Sequence, residues 1–97
     1  MDIYFRRDFL NLPGHHAGAH VVGIVSIERF FDQEPELVAH LTIADCSRTV
    51  VLDFDAHDDA SLANSLHKAR LLREVVDEFV VHLERAATSH GVVASDG

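Results

Sequence analysis

The chain has no tryptophan, one methionine, one cysteine and two prolines among its 97 residues. A single thiol, Cys46, excludes an internal disulfide framework and suits a reducing compartment. Basic residues are also scarce: eight Lys and Arg stand against 16 Asp and Glu, a formal net charge of −8. That balance argues against a nucleic-acid binder, whose affinity rests on Lys and Arg neutralising phosphates. No apolar run approaches the roughly 18 residues of a membrane span, so no membrane partner is expected. The opening Met1-Asp2-Ile3-Tyr4-Phe5-Arg6-Arg7 lacks the basic-then-apolar layout of a signal peptide, and a cytoplasmic location is expected. Eight histidines make the charge conditional, because full protonation would cancel it. Solubility is therefore expected to fall toward pH 5 to 6.

What the chain does have is one long amphipathic stretch. Between Asp59 and Ala87, Leu62, Leu66, Ala69, Leu72, Val76, Phe79, Val80 and Leu83 recur at spacings of three and four, the period of one helix face. Lys68, Arg70, Arg73, Glu74, Asp77, Glu78, Glu84 and Arg85 fill the gaps and suit a wet face, with Arg70–Glu74 and Arg73–Asp77 four apart. Asp58 or Asp59 can cap the N-terminus. Gly91 is the stop, with Arg85 and His90 placed to meet the negative end of the dipole.

Four strands are predicted upstream. Ile3–Leu10 alternates imperfectly, with Ile3, Phe5 and Phe9 on one side and Tyr4, Arg6, Asp8 and Leu10 on the other. Leu12-Pro13-Gly14 stops it. Val21–Ile27 is almost wholly apolar, as in a central strand covered on both sides. Phe30-Phe31 in the next connection is expected to close an edge of the core. Leu37–Ala44 and Thr49–Asp55 form a hairpin about Cys46-Ser47. Ile43 then faces Val50, Leu41 faces Leu52 and Ala39 faces Phe54, while Thr42–Val51, His40–Asp53 and Val38–Asp55 share the other face. A one-residue slip would scramble that segregation, so the pattern supports the register. The missing turn glycine counts against it.

The expected fold is α+β: a four-stranded antiparallel meander with one long C-terminal helix on one face, ββββα. Residues 1–90 make the single domain and 91–97 a flexible tail. A helix of about 29 residues is about 44 Å long and outreaches a sheet about 14 to 19 Å wide and 26 Å deep. Its last apolar turns then need cover, and a homodimer is the expected answer, against a monomer whose first strand or acidic loop reaches up to cover them.

Several clusters carry possible chemistry. His15-His16-x-x-x-His20 offers imidazoles to a transition metal, yet neighbouring side chains on an extended loop point apart, so a solvated loop is the simpler reading. His40 opposite Asp53 resembles an oriented general base but lacks a nucleophile. A calcium loop begun at Asp53 would put Asp58 at its sixth position, where Gly is needed, and Asn64 at its twelfth, where Glu is needed, which excludes that reading. Cys46, between Asp45 and Ser47, reads as an inert turn thiol.

Three stretches together resemble a family: Leu10-Asn11-Leu12-Pro13-Gly14-His15-His16, Ile43-Ala44-Asp45-Cys46-Ser47-Arg48-Thr49 and Asn64-Ser65-Leu66-His67-Lys68. They are similar to short proteins of unknown function encoded by actinobacteria and their bacteriophages. The resemblance implies a small accessory or regulatory protein and carries no activity, ligand or fold with it. Asn64, His67 and Lys68 share a helix flank, and with His15 and His16 they would form a polar ligand-binding pocket if the loop lay beside them. The plainer expectation is that Asn64 and His67 bond the loop backbone. No catalytic residue, bound metal or cofactor is assigned. The expected activity is non-enzymatic: protein–protein interaction as a homodimer, with a host or phage protein as a possible partner. A small-ligand or metal-binding domain using His15, His16, His20 and His67 is the alternative.

Overall fold

The computed structural model describes residues 1–15, 18–29, 31 and 33–89. Its elements are β1 (Asp2–Phe9), β2 (Ala19–Glu28), β3 (Glu36–Asp45), β4 (Arg48–Asp53) and α1 (Asp59–Ser89). The strands form one open antiparallel sheet in the order β1-β2-β3-β4, the α+β, ββββα arrangement expected from the alternating and helical periods. The chain divides into two units, Met1–Leu66 and His67–Gly97. The first holds the sheet and the opening turns of α1.

The β3–β4 hairpin has the register that face segregation demanded: Ile43↔Val50, Leu41↔Leu52, Thr42↔Val51 and His40↔Asp53. Its turn solves the missing-glycine problem by strain, since Cys46 itself adopts φ 57°, a left-handed conformation costly for a residue with a Cβ. The Cys46 N–H is spent on the Gly18 carbonyl at 2.9 Å, which ties the turn to the start of β2. Beyond Asp53 the ladder breaks and then resumes. Leu37 and Ala56 exchange two backbone hydrogen bonds of 2.9 Å, an isolated bridge in the same register.

β2 is central and its residues are buried or half-buried, as an almost wholly apolar strand should be. Its pairing with β1 and β3 puts Tyr4, Arg6 and Asp8 on the same face as Val21, Val25, Leu41 and Ile43. The opposite face carries Phe5, Phe9, Val22, Ile24, His40 and Val51. The register slips between Asp2 and Tyr4, leaving Ile3 as the extra residue of a bulge. Met1 anchors that end, exchanging hydrogen bonds with Ile27 at 2.7 and 2.9 Å. Gly23 lets the strands pack closely there: a Cβ on it would meet the Tyr4 ring at 3.3 Å.

α1 begins where the acidic run allows. Asp58 is the cap: its Oδ1 accepts the Ser61 N–H at 2.7 Å. The Ser61 hydroxyl oxygen accepts the N–H groups of Asp58 at 3.1 Å and His57 at 2.9 Å. This is the reciprocal logic of a capping box, with Ser61 in place of the usual Glu or Gln. The helix then runs unbroken through 31 residues. It ends later than the periodicity suggested, so its last turn holds no basic residue and Arg85 stands one turn too early to meet the dipole. His90 and the tail 91–97 lie outside the described residues.

Burial departs most from expectation. The buried apolar residues are Ala19, Ala44 and Ala56, and among the described residues no large side chain is fully buried. Every residue of β1 is exposed. Phe31, expected to close the core, is instead 98% exposed, in a turn with φ 55°. Phe30 lies outside the described residues. Along α1, Leu62, Leu66, Val76, Phe79, Val80 and Leu83 are all exposed, Phe79 by 63%, whereas an amphipathic stripe ordinarily has a covering layer.

Candidate functional site

Two features stand out once the side chains are placed: a polar cluster where β4 leaves the sheet, and the bare apolar stripe of α1.

The cluster is built by the break in the ladder after Asp53. At Asp55 the side chain replaces the strand, its Oδ1 accepting the Ala39 N–H at 2.8 Å. The Asp55 N–H in turn goes to Asp53 Oδ1 at 2.8 Å. The same Asp55 oxygen lies 3.2 Å from His40 Nε2. His40 is the register partner of Asp53, as the alternating pattern required, but its imidazole contacts Asp55. Donor atoms of His40, Asp53 and Asp55 all lie within 4.8 Å of one another. One imidazole and two carboxylates is a nitrogen–oxygen set compatible with a first-row divalent cation.

Chemically the cluster is half open, with the His40 and Asp55 side chains 38% and 44% exposed. Water competes for every polar contact in such a place, which weakens electrostatic interactions. The recorded side-chain partner of His40 is the Asp55 carboxylate.

Ser65 secures the cluster from below. Its hydroxyl donates a 2.9 Å hydrogen bond to the Asp55 carbonyl and the residue is buried. A serine inside an apolar stripe was the available sequence signal. The hydroxyl, and not only the small size, is what the fold uses.

The residues expected to bind a ligand are placed as follows. His15 is exposed in the β1–β2 connection, where its N–H bonds the Leu12 carbonyl at 3.0 Å. His16 lies outside the described residues. His20 is not in the loop, because β2 starts at Ala19; it is half-buried between Phe9 and Ala44. Asn64 is exposed on the opening turns of α1, and His67 and Lys68 are exposed on the turns that follow. Among the described residues no hydrogen bond or ion pair is recorded between His15 and Asn64.

The stripe is the larger feature. Within His67–Gly97, Leu72 is half-buried, and Val75, Val76, Phe79, Val80 and Leu83 are exposed. On the neighbouring surface Arg70, Arg73, Glu74 and Asp77 line one shallow groove. The pairs Arg70–Glu74 and Arg73–Asp77, expected to lace this face, do not close to 4 Å among the described residues; the ion pairs recorded are Arg6–Asp8, His40–Asp55 and His57–Asp58. No described helix is long and apolar enough to cross a membrane. Comparison with known proteins adds no relative: no family model, curated protein or solved structure matches the chain.

Proposed function

We propose that this is a small non-enzymatic accessory protein that works through protein–protein contact, and that the first of those contacts is with a second copy of itself. The observation that carries the reading is the contrast in burial. Among the described residues three alanines are the buried apolar ones, while Phe5, Phe9, Val76, Phe79 and Leu83 stand in solvent. Apolar burial is the main favourable contribution to folding, and exposed patches beyond a few hundred Å² mark interaction surfaces. A symmetric pair is the commonest way to cover one. The acidic net charge supports a protein partner in preference to a nucleic acid. The resemblance to short actinobacterial and phage proteins makes a host or phage protein a fitting second partner, in the cytoplasm.

Light scattering on the untagged chain tests this. The expected mass is twice 10.8 kDa at neutral pH, and a mass of 10.8 kDa at high concentration would overturn the reading.

The second reading is a small-ligand or metal-binding domain, for which the sequence offers His15, His16, His20 and His67. The observation in its favour lies elsewhere, in the meeting of His40, Asp53 and Asp55. Elemental analysis after dialysis decides it: one retained equivalent of metal, lost in His40→Ala, would put this reading first.

A further inference from the structure

We propose that His40, Asp53 and Asp55 bind a single first-row divalent cation of the zinc class, at the corner where the chain passes from β4 toward α1. This deepens the metal-binding reading above and rests on it, and it is independent of self-association.

The backbone brings the three side chains together. His40 and Asp53 are register partners on β3 and β4, and Asp55 follows two residues later. The Asp55 carboxylate is aimed by the Ala39 N–H, which it accepts at 2.8 Å. The Asp53 carboxylate is held in turn by the Asp55 N–H, also at 2.8 Å. Each acid is thus oriented by a main-chain donor, the kind of outer contact that sets a metal ligand in place. The spacing suits one ion. Two ligands about 2.0 to 2.1 Å from a tetrahedral zinc stand about 3.3 to 3.4 Å apart. His40 Nε2 and Asp55 Oδ1 are separated by 3.2 Å, close to that value. A charge-assisted hydrogen bond would be shorter, about 2.7 to 2.9 Å. With all three donors inside 4.8 Å of one another, closing on an ion takes side-chain rotation and no movement of the sheet.

The donor set selects the ion. An imidazole nitrogen suits zinc, nickel and copper, whereas calcium and magnesium take oxygen ligands. The two carboxylates carry the two negative charges that a divalent cation neutralises, and a chain of net charge −8 draws cations toward it. Three protein ligands leave a fourth position to water, so the site is open and its ion exchangeable. Its effect on the fold is that of a clamp. One ligand stands on β3 and two on the segment leading to α1, whose Asp55 carbonyl is already bound by the Ser65 hydroxyl. An ion that binds this folded corner and not the unfolded chain stabilises the protein by mass action.

Calorimetric titration of zinc chloride into the chelator-stripped full chain at neutral pH tests the site. One zinc per chain is expected, with a rise in the thermal midpoint, and magnesium or calcium should give neither. Asp53→Asn and Asp55→Asn keep a side-chain oxygen for the Asp55 and Ala39 N–H groups while removing the charge. They should therefore fold and bind zinc about tenfold or more weakly, as should His40→Ala. Cys46→Ser, and His15→Ala together with His16→Ala, should leave binding unchanged. In the nitrogen-15-labelled parent, zinc should shift the His40 imidazole signals. One zinc per chain that survives the substitutions at positions 40, 53 and 55 overturns the inference and leaves the broader metal-binding reading standing. Calcium or magnesium bound as tightly as zinc overturns the assignment of the ion and shows a mere acidic surface. No zinc bound at all removes both the inference and the reading it rests on.

Discussion

The Ser65 hydroxyl donates a hydrogen bond of 2.9 Å to the backbone carbonyl of Asp55, ten residues earlier. Asp55 stands opposite Val38, between the bonded positions Ala39–Phe54 and Leu37–Ala56, where the carbonyl of an antiparallel strand points away from its neighbour and needs another partner. Ser65 supplies one from the second turn of α1. Removing the hydroxyl should therefore strand a partly buried acceptor. Ser65→Ala is expected to cost about 1 kcal/mol in urea unfolding, and an unchanged midpoint would show that water satisfies the carbonyl equally well.

The helix start gives a pH signature. Hydrogen bonds from Ser61, its backbone N–H foremost, hold the Asp58 carboxyl below its ordinary value of 3.8. A carboxyl depressed in the folded state stabilises it above the unfolded value and loses that contribution as pH falls through the lower folded one. Asp58→Asn keeps the cap's shape without the charge. Its stability should fall short of the parent's at pH 6, with the gap closing below pH 3.8 as the parent's carboxyl protonates. Thermal midpoints measured across that range check it, and a gap independent of pH would show the charge to be idle.

Cys46 occupies a backbone conformation that glycine or asparagine adopts with less strain, φ 57°. Cys46→Gly should raise stability by about 0.5 kcal/mol after allowing for the greater freedom of glycine in the unfolded chain. Cys46→Val should lower it by more, because a β-branched side chain resists a positive φ. The reverse order in denaturant unfolding would mean that the Cys46 thiol is worth more than the relief of strain.

Gly23 packs beneath the Tyr4 ring, where an added Cβ would sit 3.3 Å from Cε2. Tyr4 is itself half exposed on an edge strand, so its ring can shift by a few tenths of an ångström. Gly23→Ala should be close to neutral. Gly23→Val should displace the ring and cost about 1 to 3 kcal/mol. Tyrosine fluorescence should report the displacement directly, as Tyr4 is the sole tyrosine and there is no tryptophan.

Which parts of this could be read from the residues alone follows a physical division. Local periodicity fixes local structure, so the α1 stripe and the Leu41–Leu52 and His40–Asp53 pairings were legible from side-chain alternation. Asp55 was not. An acidic residue after a strand looks like a solvated end, and nothing in its spacing says that its side chain will take the Ala39 N–H in place of a carbonyl. Phe31 misled because large aromatic residues usually seek cover, whereas this one sits in a turn and is exposed. The helix stop was misplaced because Gly91 signals an end without fixing the last turn. The His15–His20 spacing said little about a site, since one member belongs to the loop and another to a strand.

The account turns on whether a second copy covers the apolar seam of α1, and amide hydrogen exchange across Leu72 to Leu83, followed against protein concentration, reports on it directly. Cover by a second copy requires protection there to rise with concentration, because association contributes to stability by mass action. Protection in that segment that is strong and the same at every concentration would show the seam covered by its own chain, and would contradict the account.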